Sequence, residues 1–235
     1  MLPIYYINLK KSRERREFMN EHYSKNNIVR ISAYNGDKLH NYNDIILPPS
    51  TWCRQHKYQI ACSLSHIKAI ITSLNNDDKE ALILEDDVSN EYKHLWENSI
   101  NEIIENKPEN CECLNLLCSN TGELNQISKL RENYVKWNNK LYGAGSYYIN
   151  RKGMEKIYNL FFKNEKIDLY IKLNNYVSDD GIIYNNLVTY VYSKPTFINQ
   201  MFKTTIGSRY KVEYNIYKYI TNYFNSRLTP PLNDI

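Results

Sequence analysis

Glycine is scarce in this chain, 7 residues in 235, and proline is no commoner at 7, so neither a collagen-like repeat nor a flexible low-complexity linker fits. No uninterrupted apolar run reaches membrane-spanning length, and residues 1–9 are too short a stretch, with no basic leader, to read as a secretory signal. Cysteine is present but forms no framework. An odd set of five, at positions 53, 62, 111, 113 and 118, predicts reduced thiols in a cytoplasmic compartment. Cys111, Cys113 and Cys118 lack a nearby His or fourth Cys at zinc-finger spacing and read as core thiols on a strand. A concentrated basic face is missing too. With 30 basic against 26 acidic residues, a net charge of +4 suits an anionic small molecule or a membrane surface better than nucleic acid. The 22 tyrosines and the many asparagines look like coding bias and point to no function.

What the chain does have is an abrupt acidic strand end. In Ala81-Leu82-Ile83-Leu84-Glu85-Asp86-Asp87-Val88 a continuous apolar run, which fits a strand covered on both faces, stops at three adjacent carboxylates. In an open α/β sheet that edge is where ligands bind, and three neighbouring acids need water, a cationic side chain or a metal ion to compensate them. Period-two alternation would point Glu85 and Asp87 to one side, where they could hold a hard divalent cation, and Asp86 to the other. A solvated acidic loop is the alternative reading.

The remaining elements fit around that strand. Residues 3–9 read as a first strand, followed by a helix opened by Ser12, with Lys10, Lys11, Arg13, Arg15 and Arg16 crowding a turn whose amides also favour anions. A second strand over 27–33 leads to the turn Asn35-Gly36-Asp37, and two successive βα units suggest a parallel sheet. Residues 38–57 look irregular, a candidate substrate loop, with Trp52 as a stacking platform or a plug. Residues 59–74 have the clearest helical spacing, in Ile60, Leu64, Ile67, Ile71 and Leu74; His66 within it reads as a hydrogen-bonded structural residue. A helix is predicted over 91–105, strands over 113–117, 135–141, 147–149 and 187–192, a polar insertion over 118–133, and a short helix over 154–162. Asp168, Asp179 and Asp180 are further acidic positions, each a turn or cap residue, a general base or a metal ligand according to what folding brings near it.

Taken in order, these stretches resemble glycosyltransferase family 25, which contains lipooligosaccharide and collagen hydroxylysine galactosyltransferases. The resemblance rests on Ile4-Tyr5-Tyr6-Ile7-Asn8-Leu9 with Arg13, Arg15 and Arg16, on residues 33–36, on Ala61-Cys62-Ser63-Leu64-Ser65-His66 and on Leu84-Glu85-Asp86-Asp87. It continues through residues 143–149 with Arg151-Lys152-Gly153, then Lys166-Ile167-Asp168 and the segment 195–200, spanning roughly residues 3–208. One departure is Lys166, where the family's hydrophobic-Asp element usually has proline.

The resemblance implies an α/β fold of the glycosyltransferase A type, a Rossmann-like mixed central sheet flanked by helices, over residues 1–208; residues 209–235 lie outside the matching stretches and read as a basic and aromatic C-terminal helix and tail. It implies a UDP-sugar donor, usually UDP-galactose, a Mn²⁺ or Mg²⁺ cofactor held by Glu85 and Asp87, and inverting transfer to a saccharide, glycolipid or hydroxylysine-bearing acceptor. Asn8, Arg13, Arg15 and Arg16 are then candidates for the nucleotide side, with Glu85 and Asp86 nearby and Asp86 on ribose or sugar hydroxyls. Inversion needs a carboxylate base for the acceptor hydroxyl; Asp168 is the first choice and Asp180 the second. His66 is assigned to supporting the acidic strand. In the C-terminal helix Tyr210, Tyr214, Tyr217, Ile220 and Phe224 recur at helical spacing, a stripe that would dock on the protein's own core, across a homodimer or on a membrane surface. The competing readings are a catalytically inactive relative that binds a nucleotide sugar or a partner, and a basic nucleic-acid-associated protein, against which the dispersed charge argues.

Overall fold

The structure, a computed structural model, describes residues 2–47, 50–169, 178–202 and 210–228. Pro48-Pro49 and the side chains of Trp52 and Asp179 lie outside the described residues. The first half runs β1 (Ile4–Asn8), α1 (Arg13–His22), β2 (Ile28–Ser32), a 3-10 segment (Gly36–Asn41), β3 (Ile45–Ile46), α2 (Ser50–Asn75), β4 (Glu80–Glu85) and β5 (Val88–Ser89). After a 3-10 turn (Lys93–Leu95) come α3 (Ile100–Glu105), β6 (Cys113–Asn115), α4 (Thr121–Ile127), β7 (Tyr134–Lys136), β8 (Ser146–Asn150) and α5 (Arg151–Phe161). The chain then forms β9 (Phe162–Lys163), β10 (Lys166–Asp168), α6 (Asp179–Tyr184), β11 (Thr189–Tyr192), β12 (Ile198–Asn199) and α7 (Tyr210–Leu228).

Seven strands make the central sheet in the order β2-β1-β4-β8-β6-β11-β7. β1 is parallel to both β2 and β4, whereas β8 runs antiparallel to β4 and β6, so the sheet is mixed, as expected. Alternation along the strands divides the core. Tyr5, Ile7, Ala81 and Ile83 face one apolar layer with Ile60, Leu64 and Ile67 of α2 and Met154 and Ile157 of α5. Ile4, Tyr6, Leu82 and Leu84 face the other, with Met19 of α1, Ile103 of α3, Leu124 of α4 and Ile216, Ile220 and Phe224 of α7. Covered on both faces, β4 can only be the apolar run that its sequence shows.

Four predicted elements differ, one of them the strand expected over 135–141, which is confined to β7 (Tyr134–Lys136). Helix α2 begins at Ser50, nine residues before the expected start, and takes in much of the supposed irregular loop, with a break in helical dihedrals at His56. The helix expected over 91–105 is split into the 3-10 turn and α3, because Ser99 and Glu102 form a reciprocal capping box that starts a new helix there. The region 118–133, read as an insertion, contains α4, whose Asn120 side chain caps the amides of Gly122 and Glu123.

The C-terminal part of the α7 stripe packs on the protein itself, and the side chain of Tyr210 lies outside the described residues. Ile216, Ile220 and Phe224 are buried, and Phe224 stacks on Tyr92 at 4.8 Å between ring centroids, whereas Tyr214 stays exposed. Phe224→Ala is expected to cost about 3–4 kcal/mol of stability, read as a lowered urea midpoint. Among the described residues no helix is long and apolar enough to cross a membrane.

Just before β6, the buried Glu112 ties α5 to the sheet. Its carboxylate accepts from Lys156 Nζ at 2.6 and 2.7 Å and from the Val188 amide at 3.0 Å, with Lys152 Nζ at 3.1 Å. Burial pushes its pKa up, but the lysines and the amide outweigh burial and hold it below the ordinary glutamate value. A depressed folded pKa stabilises above the unfolded value and is lost as pH falls through the folded one. Glu112→Gln should therefore cost about 2 kcal/mol at neutral pH and much less in acid, seen as converging melting temperatures of variant and parent between neutral pH and pH ~3.

Candidate active site

The carboxyl edge of β1, β2 and β4 opens onto a cavity of about 610 Å³. Its walls come from Lys11, Ser12 and Arg15 after β1, residues 33–36 after β2, Cys62 and His66 of α2, and Glu85, Asp86 and Asp87 after β4. Ser119, Tyr142 and Gly143, with Asp180 and Gly181 of α6, complete it.

Strand β4 ends at Glu85, whose amide donates to the Gly145 carbonyl at 2.8 Å; Asp86 and Asp87 then form a turn. The period-two alternation therefore stops at Glu85. Instead of pointing apart, Asp86 and Asp87 share Arg15, whose Nη1 donates to Asp86 Oδ1 at 2.8 Å and to Asp87 Oδ2 at 3.0 Å. Arg15 lies one turn before the buried Met19 on α1, so helical phase turns it inward, and the Phe202 ring lies 5.4 Å from its guanidinium carbon. Arg13, two residues earlier, pairs with Glu17 at 2.7 Å on the exposed face, and neither it nor Arg16 lines the cavity. Asn8 does not line it either. Buried at the end of β1, it donates Nδ2 to Asp86 Oδ2 at 2.7 Å and accepts from Arg30 Nε at 2.9 Å, so it orients Asp86 from behind.

Asp87 has a second partner that spacing could not reveal, Asn199 of β12, whose Nδ2 donates to Oδ1 at 3.0 Å. The Gln200 amide also donates to the Asp87 carbonyl at 2.6 Å, and β12 pairs with β5 just beyond the acidic turn. Burial, and then the neighbouring charge of Glu85, push the Asp87 carboxyl up to about 7 despite Arg15. Burial likewise raises Asp86. A carboxylate cluster with more negative charge than its resident arginine offsets is one that a cation would relieve. The all-oxygen donors of Glu85 and Asp87 fit a hard divalent ion such as Mn²⁺ or Mg²⁺.

His66 stands behind Glu85, with Nε2 3.5 Å from Glu85 Oε1 and Nδ1 3.2 Å from the Tyr147 hydroxyl. The Cys62 thiol, one turn earlier on α2, donates toward the same Oε1 at 3.8 Å.

The two candidate bases part company. Asp168 is buried in β10, which pairs with β3 and β9 in a separate small sheet, and it is not among the residues that line the cavity. Asp180 does line it. Its Oδ2 accepts from the Gly143 amide at 2.9 Å and its Oδ1 from the Gly181 amide at 2.8 Å. Gly143 has φ +116°, and an added Cβ would run into the Ser119 side chain, so the loop that meets Asp180 needs glycine there. The Tyr184 hydroxyl holds the same loop by donating to the Gly143 carbonyl at 3.0 Å.

A sequence profile described as "Glycosyltransferase family 25 (LPS biosynthesis protein)" matches residues 1–171. No curated protein matches. Among solved structures, the chain is similar to one titled "crystal structure of a glycosyltransferase involved in the glycosylation of the major capsid of PBCV-1", at a TM-score of 0.49 and 10% identity, covering 92% of this chain and 98% of that one. It is also similar to "Crystal Structure of A197 from STIV", at a TM-score of 0.46 and 13% identity, covering 86% and 87%.

Proposed function

The chain belongs to glycosyltransferase family 25, and from that premise we propose that it moves a hexose, galactose first, from a UDP-sugar to a hydroxyl of a saccharide or hydroxylysine-type acceptor, with inversion at the anomeric carbon. What supports this reading is that one cavity gathers the acidic end of β4, the cations Lys11 and Arg15, and a separate carboxylate, Asp180.

Each group has work in such a transfer. Glu85 and Asp87 would hold a divalent cation, which when bound supplies Lewis-acid stabilisation to the departing diphosphate. Arg15 orients Asp86 and Asp87 and adds positive charge to the same wall, and Lys11 offers a second cation to phosphate oxygens. Asp86, aligned by Asn8 and Arg15, suits donor hydroxyls. Asp180 would take the proton from the acceptor hydroxyl as that oxygen attacks in line, opposite the breaking sugar–phosphate bond. Its two amide bonds hold the carboxylate in place without consuming all of its acceptor capacity.

The test is a donor screen by thermal shift and slow donor hydrolysis with UDP-galactose, UDP-glucose and other nucleotide sugars, with and without Mn²⁺. Stabilisation by one UDP-sugar that needs the cation and is accompanied by UDP release is the expected result. Indifference to every nucleotide sugar would overturn the proposal.

A further inference from the structure

Neither Cys62 nor the buried His66 has a chemical part in the transfer proposed above. Yet on α2 the two are four residues apart and so share one helix face, and both meet the same oxygen of Glu85. His66 Nε2 lies 3.5 Å from Glu85 Oε1, Cys62 Sγ lies 3.8 Å from it, and all three donor atoms fall within 4.8 Å of one another. Around a tetrahedral ion with bonds of about 2.0–2.3 Å, neighbouring donors sit about 3.3–3.8 Å apart. We propose that Cys62, His66 and Glu85 form a binding site for a borderline divalent cation of the Zn²⁺ class, with its fourth position open to the cavity.

The donor chemistry separates this site from the Glu85–Asp87 pair. Thiolate and imidazole select Zn²⁺ or Co²⁺ over the hard ions that prefer oxygen. Three protein ligands with one open position is also the pattern of a zinc site that exchanges its fourth ligand. Behind the imidazole, the Tyr147 hydroxyl sits 3.2 Å from Nδ1. In the tautomer that donates from Nδ1 to that oxygen, the Nε2 lone pair faces Cys62 and Glu85, and such a partner on the far nitrogen fixes the ring of a metal-binding histidine. Binding converts the Cys62 thiol to a metal-bound thiolate, and its proton leaves to solvent, one for each ion taken up. Glu85 is the shared residue. An ion on Oε1 fixes its carboxylate in the donor cavity, so occupancy of this site would set how Glu85 meets the donor.

The metal site itself does not depend on glycosyl transfer, only its effect on the donor rests on the proposed function, and its test needs no donor. Titration of the full chain with Co²⁺ should give one equivalent of tetrahedral cobalt with a thiolate-to-metal absorption band, bleached by Zn²⁺ and accompanied by release of one proton. Cys62→Ser, at a half-buried position, should remove that band; Cys53→Ser and Asp87→Asn should keep it. Tyr147→Phe should weaken binding about tenfold or more. The absence of a thiolate band in the parent chain, its survival in Cys62→Ser, or its loss in Asp87→Asn would each overturn the assignment. The last two would put the ion at another thiol or at the acidic turn.

Discussion

Asp87→Asn is expected to lower cation-dependent sugar transfer by at least about 10³-fold while leaving the protein folded. The two halves of that expectation have one cause. Asp87 is the carboxylate whose proton affinity the fold raises most clearly, to about 7, through burial and the charge of Glu85. Removing that charge takes away a ligand for the cation, and it also removes a like-charge repulsion that the protein bears without the cation. Asparagine is nearly the same shape: its carbonyl oxygen can still accept from Arg15 Nη1, which now lies 3.0 Å from Oδ2, and a flip of the Asn199 amide, which now donates to Oδ1, lets the new NH2 group donate to Asn199 Oδ1. The melting temperature without metal should therefore stay level or rise. In the parent chain Mn²⁺ with the UDP-sugar should raise it, and in the variant that rise should vanish together with UDP release. Turnover near that of the parent would show that Asp87 is not a ligand and would leave the acidic turn a structural cluster held by Arg15, Asn8 and Asn199.

That arginine also shows where the sequence was readable and where it was not. Five basic residues between positions 10 and 16 could not be ranked by composition; helical phase sets Arg13 apart from Arg15 and Arg16, which stand four and three residues before the buried Met19, and only the contacts with Asp86 and Asp87 single out Arg15. β4 and the core of α2 were legible for the same kind of reason, a local pattern that allows one burial. The start of α2 was not, because the residues before Gln59 carry no apolar period of their own. The break between residues 91 and 99 had a local signal that went unread, the capping box of Ser99 and Glu102, whereas the turn before it is held by contacts across a hundred residues and more, Trp96 Nε1 donating to the Thr196 carbonyl at 2.9 Å and Tyr92 stacking on Phe224. The partner of Asp87, Asn199, is hidden in the same way. It lies 112 residues along the chain, and only the pairing of β12 with β5 delivers it. Local patterns thus gave the strand end and its acids; the groups that hold those acids in place come from long-range pairing, which spacing does not encode.

The same limit makes the choice of base the sharpest remaining question, because Asp168 and Asp180 look alike in the sequence. Asp180→Asn is expected to cut transfer about 10²–10⁴-fold with donor affinity within about threefold of the parent. Position supports this, since Asp180 lines the cavity and Asp168 does not. A purely structural part for Asp180 is the competing account, because its carboxylate joins the Gly143 loop to α6. Asparagine can accept from only one of those two amides through its oxygen, so some loss of stability, about 1–2 kcal/mol, is expected under either account. The accounts separate on the acceptor. If Asp180 takes the acceptor's proton, slow hydrolysis of the donor by water should suffer less than transfer does to an alcohol whose attack needs that base, and KM for the donor should hold. If it only braces the loop, both reactions and donor affinity should fall together as the cavity loosens. Asp168→Asn provides the matched control, a buried aspartate neutralised outside the cavity, for which kcat should stay within a few-fold of the parent. A large loss of kcat there, with Asp180→Asn nearly normal, would exchange the two assignments and require Asp168 to reach the acceptor in a form of the protein different from this one.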